Sequence, residues 1–199
     1  KTFQVKGNQM PTIQKPRQRE ESAVVLYFLQ HGYADDPRPL HRKEPVVQAM
    51  GKGFFTLLEL VPFEGVSLKP HDEVYIGEGK RDKIGYIKCA LMMDRLTQTA
   101  RSTLMPVIEK LVNDDEARFV EFYNKAGPLT LRTHQLELLP GIGKKHAVVL
   151  LEERQKSPFT SLDDIKKRVS AISDPKKVVI QRILDELEGK DRFRLFVRV

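Results

Sequence analysis

Two rhythms divide the chain. Up to about residue 90 the apolar residues come in short β-branched and aromatic runs, and beyond it they recur every three or four positions. The first run, Ala23-Val24-Val25-Leu26-Tyr27-Phe28-Leu29, suits a strand buried on much of both faces. A polar stretch with Pro37, Pro39 and Pro45 follows without usable periodicity, so it is expected to cross the surface. Residues 46–50 and 54–61 read as further strands, separated by a bulge or sharp bend at Gly51 and Gly53. Residues 72–77 and 84–87 flank the polar turn Glu78-Gly79-Lys80-Arg81-Asp82-Lys83, which predicts an antiparallel hairpin with a basic tip. Four or five short strands within residues 22–95 suit a small closed or partly closed barrel. An OB-like barrel is the first expectation, and periodicity leaves an SH3-like topology open.

The second half reads as helical from residue 96. Leu96, Leu104, Val107, Ile108 and Leu111 keep a helical spacing, with Pro106 predicting a break or kink before Val107. Asn113 and Asp114 can cap a helix over 115–125, whose apolar face holds Ala117, Val120 and Phe119 or Phe122, and Gly127-Pro128 ends it. A third helix is expected from about Leu131 or Thr133 to Leu138. Ser161 should cap a helix from Leu162, with Asp164 in the capping-box position. At the end, Arg192 and Arg194 alternate with Phe193 and Leu195, which predicts a strand over 191–199 that docks on the barrel sheet. The fold class is therefore α+β: a basic arm (1–21), a barrel domain (22–95), a helical domain (96–190) and a returning strand.

Between the third and fourth helical segments lies Leu138-Leu139-Pro140-Gly141-Ile142-Gly143-Lys144-Lys145-His146-Ala147-Val148-Val149-Leu150. Two glycines one residue apart form a tight turn that opens a helix, and glycine both adopts left-handed angles and lets a ligand approach the main chain. The first N–H groups of that helix have no intrahelical partner and sit at its positive end, a natural place for phosphate. Lys144 and Lys145 add charge, Ile142 should point inward, and Ala147 should be small to let the flanking helices approach. This resembles the helix-hairpin-helix motif of non-sequence-specific nucleic-acid-binding proteins, over residues 131–155. A degenerate second copy is expected over 162–188, where Ser170-Ala171-Ile172-Ser173 stands in place of Pro140-Gly141-Ile142-Gly143. Ala171 and Ser173 stiffen that turn and Asp174 places negative charge at it, so the second copy should pack against the first and bind less.

Charge adds to the picture. Lys and Arg number 34 against 27 Asp and Glu, a net +7 that favours a polyanionic partner. The arm contributes Lys1, Lys6, Lys15, Arg17 and Arg19 against Glu20 and Glu21. A single cysteine, Cys89, excludes an intrachain disulfide framework and a multi-cysteine zinc site. No apolar run approaches a membrane span, so a cytoplasmic protein with no membrane partner is expected. The five histidines show no metal-ligand spacing and no phosphate-binding Gly-x-x-x-x-Gly-Lys-Ser/Thr loop is present, so no cofactor or metal is called.

The whole arrangement resembles an archaeal family of predicted RNA-binding proteins in which an OB-like barrel precedes helix-hairpin-helix elements. The resemblance implies nucleic-acid binding, RNA over DNA, and brings no reaction, so a non-enzyme is expected. Gly141, Ile142, Gly143, Lys144 and Lys145 form the expected phosphate site. Secondary contacts are assigned to Lys176 and Lys177 at the second turn and to Lys80, Arg81, Lys83, Tyr75 and Tyr86 on the barrel, the tyrosines as stacking platforms. The alternative is a protein-interaction module of a translation or repair assembly, with the hairpin as a structural corner. A remoter one is a DNA glycosylase-like enzyme, since Asp163 follows the hairpin at a comparable distance, although the Val-Asp-Thr-His-like context of that aspartate is missing.

Overall fold

The computed structural model describes residues 19–198. Its sheet contains β1 (Ser22–Leu29), β2 (Val46–Gly51), β3 (Leu57–Pro62), β4 (Glu73–Tyr75) and β5 (Ile84–Ala90). The spatial order is β4-β1-β2-β3-β5 with every pairing antiparallel, so the first four strands form a Greek key and β5 is added beyond β3. The sheet curls into a half-barrel. Strand periodicity explains the curl's two surfaces. Ala23, Val25, Val47, Ala49, Leu58, Leu60 and Ile84 fill its interior, while Val24, Leu26, Met50 and Leu57 face the helices.

The sequence-based hairpin between residues 72–77 and 84–87 is not formed. β4 pairs with β1 and β5 pairs with β3, so the two lie at opposite edges of the sheet. Both have an inward apolar residue, Val74 and Ile84, and each finds an available edge on a buried strand. The bend expected at Gly51 and Gly53 is present, with a cause outside the local pattern. The Glu20 carboxylate accepts N–H groups from Gly53 (2.7 Å), Phe54 (2.8 Å) and Thr56 (3.2 Å), and a Cβ on Gly51 would fall 2.1 Å from that carboxylate. Those bonds hold Phe54 and Phe55 in the turn, and strand pairing resumes only at Leu57.

Five helices share the core on the sheet's outer side, with α1 packed directly against β1: α1 (Gln98–Asp114), α2 (Glu116–Lys125), α3 (Lys144–Lys156), α4 (Leu162–Arg168) and α5 (Pro175–Leu187). Buried Gln48 on β2 fixes where α1 begins, accepting the Thr97 N–H at 2.9 Å and donating to the Arg95 carbonyl at 3.0 Å. Pro106 does not break α1. Its side of the helix is exposed, as is Ser102, so the carbonyl that loses its i+4 donor lies on the solvent side while Leu104, Val107 and Ile108 keep the buried face intact. The cap of α2 is Asp115, without a side-chain bond, rather than Asn113 or Asp114. The expected third helix is reduced to a 3-10 turn, Gln135–Leu138, after a loop that bridges Pro128 and His134. Ser161 caps α4 through the Asp164 N–H as expected, but the Asp164 carboxylate reaches back to the N–H of Thr160.

The C-terminal stretch forms no strand within residues 191–198. Its backbone donors are taken by a side chain: the Glu186 carboxylate accepts from Leu195 (2.7 Å), Phe196 (3.0 Å) and Val197 (2.8 Å). Arg182, paired with Glu186 at 2.8 Å, also donates to the Phe193 carbonyl. The stretch nevertheless reaches the sheet, where the Arg198 N–H donates to the Phe54 carbonyl at 3.0 Å. Phe196 wedges between Phe119 and Phe122 with ring centroids at 5.4 and 5.0 Å, in edge-on contacts that suit aromatic quadrupoles. One apolar core thus runs from the sheet through all five helices to the C-terminal residues.

Candidate functional site

The turn before α3 is assembled from an apolar frame and an open polar edge. Leu136, Leu139, Ile142, Ala147 and Leu150 are buried, whereas Gly141, Gly143, Lys144 and Lys145 are exposed. The Ile142 N–H closes on the Leu139 carbonyl at 3.0 Å, which turns the chain and drives the isoleucine inward. Gly141 has φ +76, a left-handed angle that an L side chain adopts at a cost. Gly143 differs from the expectation. It is the N-cap of α3 with φ −89, an angle open to any residue, and what its missing side chain provides is clear space.

That space lies over a row of donors. The first bond of α3 runs from the Ala147 N–H to the Gly143 carbonyl, and the N–H groups of Gly143, Lys144, Lys145 and His146 have no acceptor among the described residues. The Lys144 and Lys145 ammonium groups are likewise without a partner among the described residues. Three side chains that sequence reasoning passed over brace the turn. The His146 ring contacts the Gly141 carbonyl at 3.0 Å, Arg182 donates to the Leu138 carbonyl at 2.9 Å, and His134 caps the 3-10 turn by accepting the Leu136 N–H at 3.1 Å. Burial, with the Arg154 cation nearby, pushes the His134 imidazole below its ordinary value and favours the neutral ring that can accept. The i, i+4 spacing of Arg182 and Glu186 on an otherwise apolar helix face was the one available signal for this network.

The turn before α5 repeats the frame and closes the edge. Ile172 is as buried as Ile142, and its N–H closes on the Val169 carbonyl at 2.9 Å. There Asp174 caps its own helix by accepting the Lys177 N–H at 3.0 Å, and Pro175 in the first turn has no N–H to offer. Lys176 bonds to Asn113 on α1 at 2.6 Å, and the Tyr123 hydroxyl donates to the Pro175 carbonyl at 3.3 Å. Lys177 lies 3.8 Å from the Asp174 carboxylate. This turn is docked against α1 and α2, so Lys176 and Lys177 are not gathered with Lys144 and Lys145 by any contact.

The barrel candidates also part company. Arg81 donates to the Gly77 carbonyl (3.0 Å) and the Gly85 carbonyl (3.5 Å), and the Tyr75 hydroxyl accepts the Gly79 N–H, so both are occupied in holding the β4–β5 connection. Lys80 is exposed on that connection and Lys83 half-buried. Tyr86 stands 45% exposed on β5, the more exposed tyrosine of the pair, with its hydroxyl 3.5 Å from the Glu44 carboxylate. Lys1, Lys6, Lys15 and Arg17 of the arm lie outside the described residues. Among the described residues no group of His, Cys, Asp and Glu is arranged to hold a metal ion, and no helix is long and apolar enough to cross a membrane.

Comparison with known proteins places this geometry in a family. The chain is similar to the uncharacterized protein MJ0038 of Methanocaldococcus jannaschii, 39% identical over 199 residues that cover 97% of this chain and 88% of that one. It is also similar to the crystal structure of Af1531 from Archaeoglobus fulgidus, with a TM-score of 0.81 and 43% identity, covering 90% of this chain and all of the other. Residues 19–198 match the family described as protein of unknown function DUF655, and the chain belongs to that family.

Proposed function

We propose that this chain binds nucleic acid, RNA in preference to DNA, by gripping backbone phosphates at the turn before α3 with little sequence preference. The observation that carries the reading is the row of unpaired N–H groups from Gly143 to His146 beside two unpaired lysines, in a turn rigid enough to hold them in place. A phosphate oxygen can accept from successive N–H groups there, with Lys144 and Lys145 supplying charge from either side. Such contacts fix position on the backbone and carry no base information. In this reading residues 131–155 are a helix-hairpin-helix with a shortened first helix, and residues 162–188 are its degenerate partner. The half-barrel is read as OB-like from its partly open Greek-key order, with Tyr86 the best placed platform for a base. The preference for RNA rests on the resemblance to archaeal predicted RNA-binding proteins.

One observation favours the rival reading of a protein-docking corner: Val148 and Val149 on α3 are 52% and 38% exposed. A salt series with labelled single- and double-stranded RNA and DNA separates the two. Phosphate binding requires that Lys144→Glu with Lys145→Glu weaken binding by roughly tenfold or more and flatten the log–log salt slope by about 1–2. Lys176→Glu with Lys177→Glu, at the closed turn, should change little. Affinity indifferent to the first pair would overturn the reading and leave the valine face as the place to seek a partner.

A further inference from the structure

The loop between α2 and the 3-10 turn carries an apolar tip that the fold does not use. Leu131 is 107% exposed, the highest value of any large apolar residue among those described. Slack in the chain does not account for it. The Gln135 N–H donates to the Gly127 carbonyl at 3.0 Å, and the Gly127 N–H donates back to the Gln135 side-chain oxygen at 2.9 Å. Above that base the N–H groups of Leu129 and Thr130 both donate to the Thr133 carbonyl, at 2.8 and 3.1 Å, and the Arg132 N–H donates to the Thr130 hydroxyl at 3.2 Å. A leucine held in water by a bonded turn forgoes burial that a slack loop could recover by folding back.

Charge around the tip suits a polyanion. From Ala126 to Leu136 the chain has Arg132 and no Asp or Glu, and the exposed Arg132 side chain has no partner among the described residues. The tip is also tied to the turn before α3. Arg154 on α3 donates to the carbonyls of Tyr123 and Ala126, at 3.0 and 2.8 Å, so the end of α3 holds the base of the loop while its start is the turn itself. Lys144 and Arg154 are ten residues apart, about 15 Å of helix at ~1.5 Å per residue, or about four base steps of a duplex at ~3.4 Å each.

We propose that Leu131 is a wedge that enters a base stack while Lys144, Lys145 and the N–H groups at the start of α3 hold the backbone, so that the ligand is an RNA duplex interrupted by a bulge or a mismatch. The inference rests on the proposed function and narrows it. An aliphatic side chain has no ring face on which to seat a free base, so a single strand gains little from it. Between two parted bases it supplies the apolar contact that they have lost, and Arg132 beside it meets the phosphate of the opened step. Parting a stack costs least where a base is already unpaired.

The test uses the full chain and two RNA duplexes of one sequence, the first perfect and the second with a single bulge beside a 2-aminopurine, whose fluorescence rises when it unstacks. The native protein should bind the bulged duplex about tenfold more tightly than the perfect duplex or the single strand, with a rise in fluorescence at saturation. Leu131→Ala should lose the preference and the rise together. Its urea midpoint and its affinity for the perfect duplex should stay native, because so exposed a side chain carries none of the fold. A preference and a rise that persist in Leu131→Ala overturn the wedge, as does equal or tighter binding of the single strand. RNA binding that is absent, or indifferent to Lys144→Glu with Lys145→Glu, overturns the phosphate reading beneath it, whereas binding that needs the lysines and ignores Leu131 overturns the wedge alone.

Discussion

The turns at residues 140–143 and 170–173 share an apolar frame and differ at one edge. Both carry an isoleucine 4% exposed whose N–H closes a bond of about the same length, and both launch a helix of 13 residues. At the second, a carboxylate one residue further on accepts one of the helix's own donors, and proline removes another. At the first, glycine occupies the cap and leaves them unsatisfied. A helix start can be finished as a joint or left open to a ligand, and the cap side chain decides which. The same protein contains both outcomes side by side, tied through Arg182 on α5, which bonds to Leu138 ahead of the first turn.

Cutting that tie should have the largest effect. Arg182 is 4% exposed and links Glu186, Asp191, the Phe193 carbonyl and the Leu138 carbonyl. Arg182→Ala leaves Glu186 buried without its cation and should cost about 3–5 kcal/mol in urea unfolding. Glu186→Ala should cost a similar amount, since three tail N–H groups lose their acceptor, and the double variant should fall well short of the sum. Additive costs would mean that the two residues act separately and that the turns are not coupled through them.

A smaller effect separates the backbones of the two turns. Gly141→Ala places a side chain at φ +76 and should cost about 1–2 kcal/mol. Ala171 occupies the equivalent place without a positive φ, so Ala171→Gly should cost less than about 1 kcal/mol, through chain entropy alone. Equal costs from thermal or urea unfolding would show that left-handed geometry is not what distinguishes the turns.

How much of this could be read from residues alone follows from the range of the forces involved. The frame was legible because Leu139, Ile142 and Ala147 obey local spacing, and so were the buried β1 and the cap at Ser161. The partners of β4 and β5 were not, because strand pairing joins residues distant in sequence and a polar turn between two short strands looks the same whether or not they pair. The fate of residues 191–198 was hidden for a related reason. Their alternation is real, but Glu186 takes the N–H groups that a ladder would have used, and nothing local announces a carboxylate acceptor. Gly143 was assigned a conformational need that it does not have, since composition cannot distinguish a glycine required for its φ from one required for the space it leaves.

That distinction makes Gly143→Asp the sharpest exchange between the turns. An aspartate fits φ −89 and should cap α3 as Asp174 caps α5, raising stability by a few tenths of a kcal/mol. Under the proposed function the same change should weaken phosphate binding by roughly tenfold, because a carboxylate fills the donors and repels the ligand. Stability and affinity would move in opposite directions. Binding that survives the substitution would remove the N–H row from the mechanism and leave only the lysines.

The smallest expected effect concerns pH. The 3-10 turn that leads into the first turn is capped by His134, which accepts the Leu136 N–H only as a neutral ring. Its folded pKa is lowered from 6.5 by burial first and by Arg154 second, so folding favours the deprotonated form. The resulting stabilisation is fully present above 6.5 and is lost as the pH falls from there through the lowered folded value. The caps at Ser161 and Asp174 are a hydroxyl and a carboxylate oxygen, and no imidazole stands at either cap. Between about pH 8 and about pH 5, exchange of the Leu136 amide, corrected for its intrinsic pH dependence, should speed up several-fold while that of Lys177 stays level. In His134→Ala the Leu136 amide should exchange quickly throughout. If both amides respond alike to acid in the native protein, the imidazole is not what holds the first turn's entrance, and the difference between the turns reduces to Gly143 against Asp174.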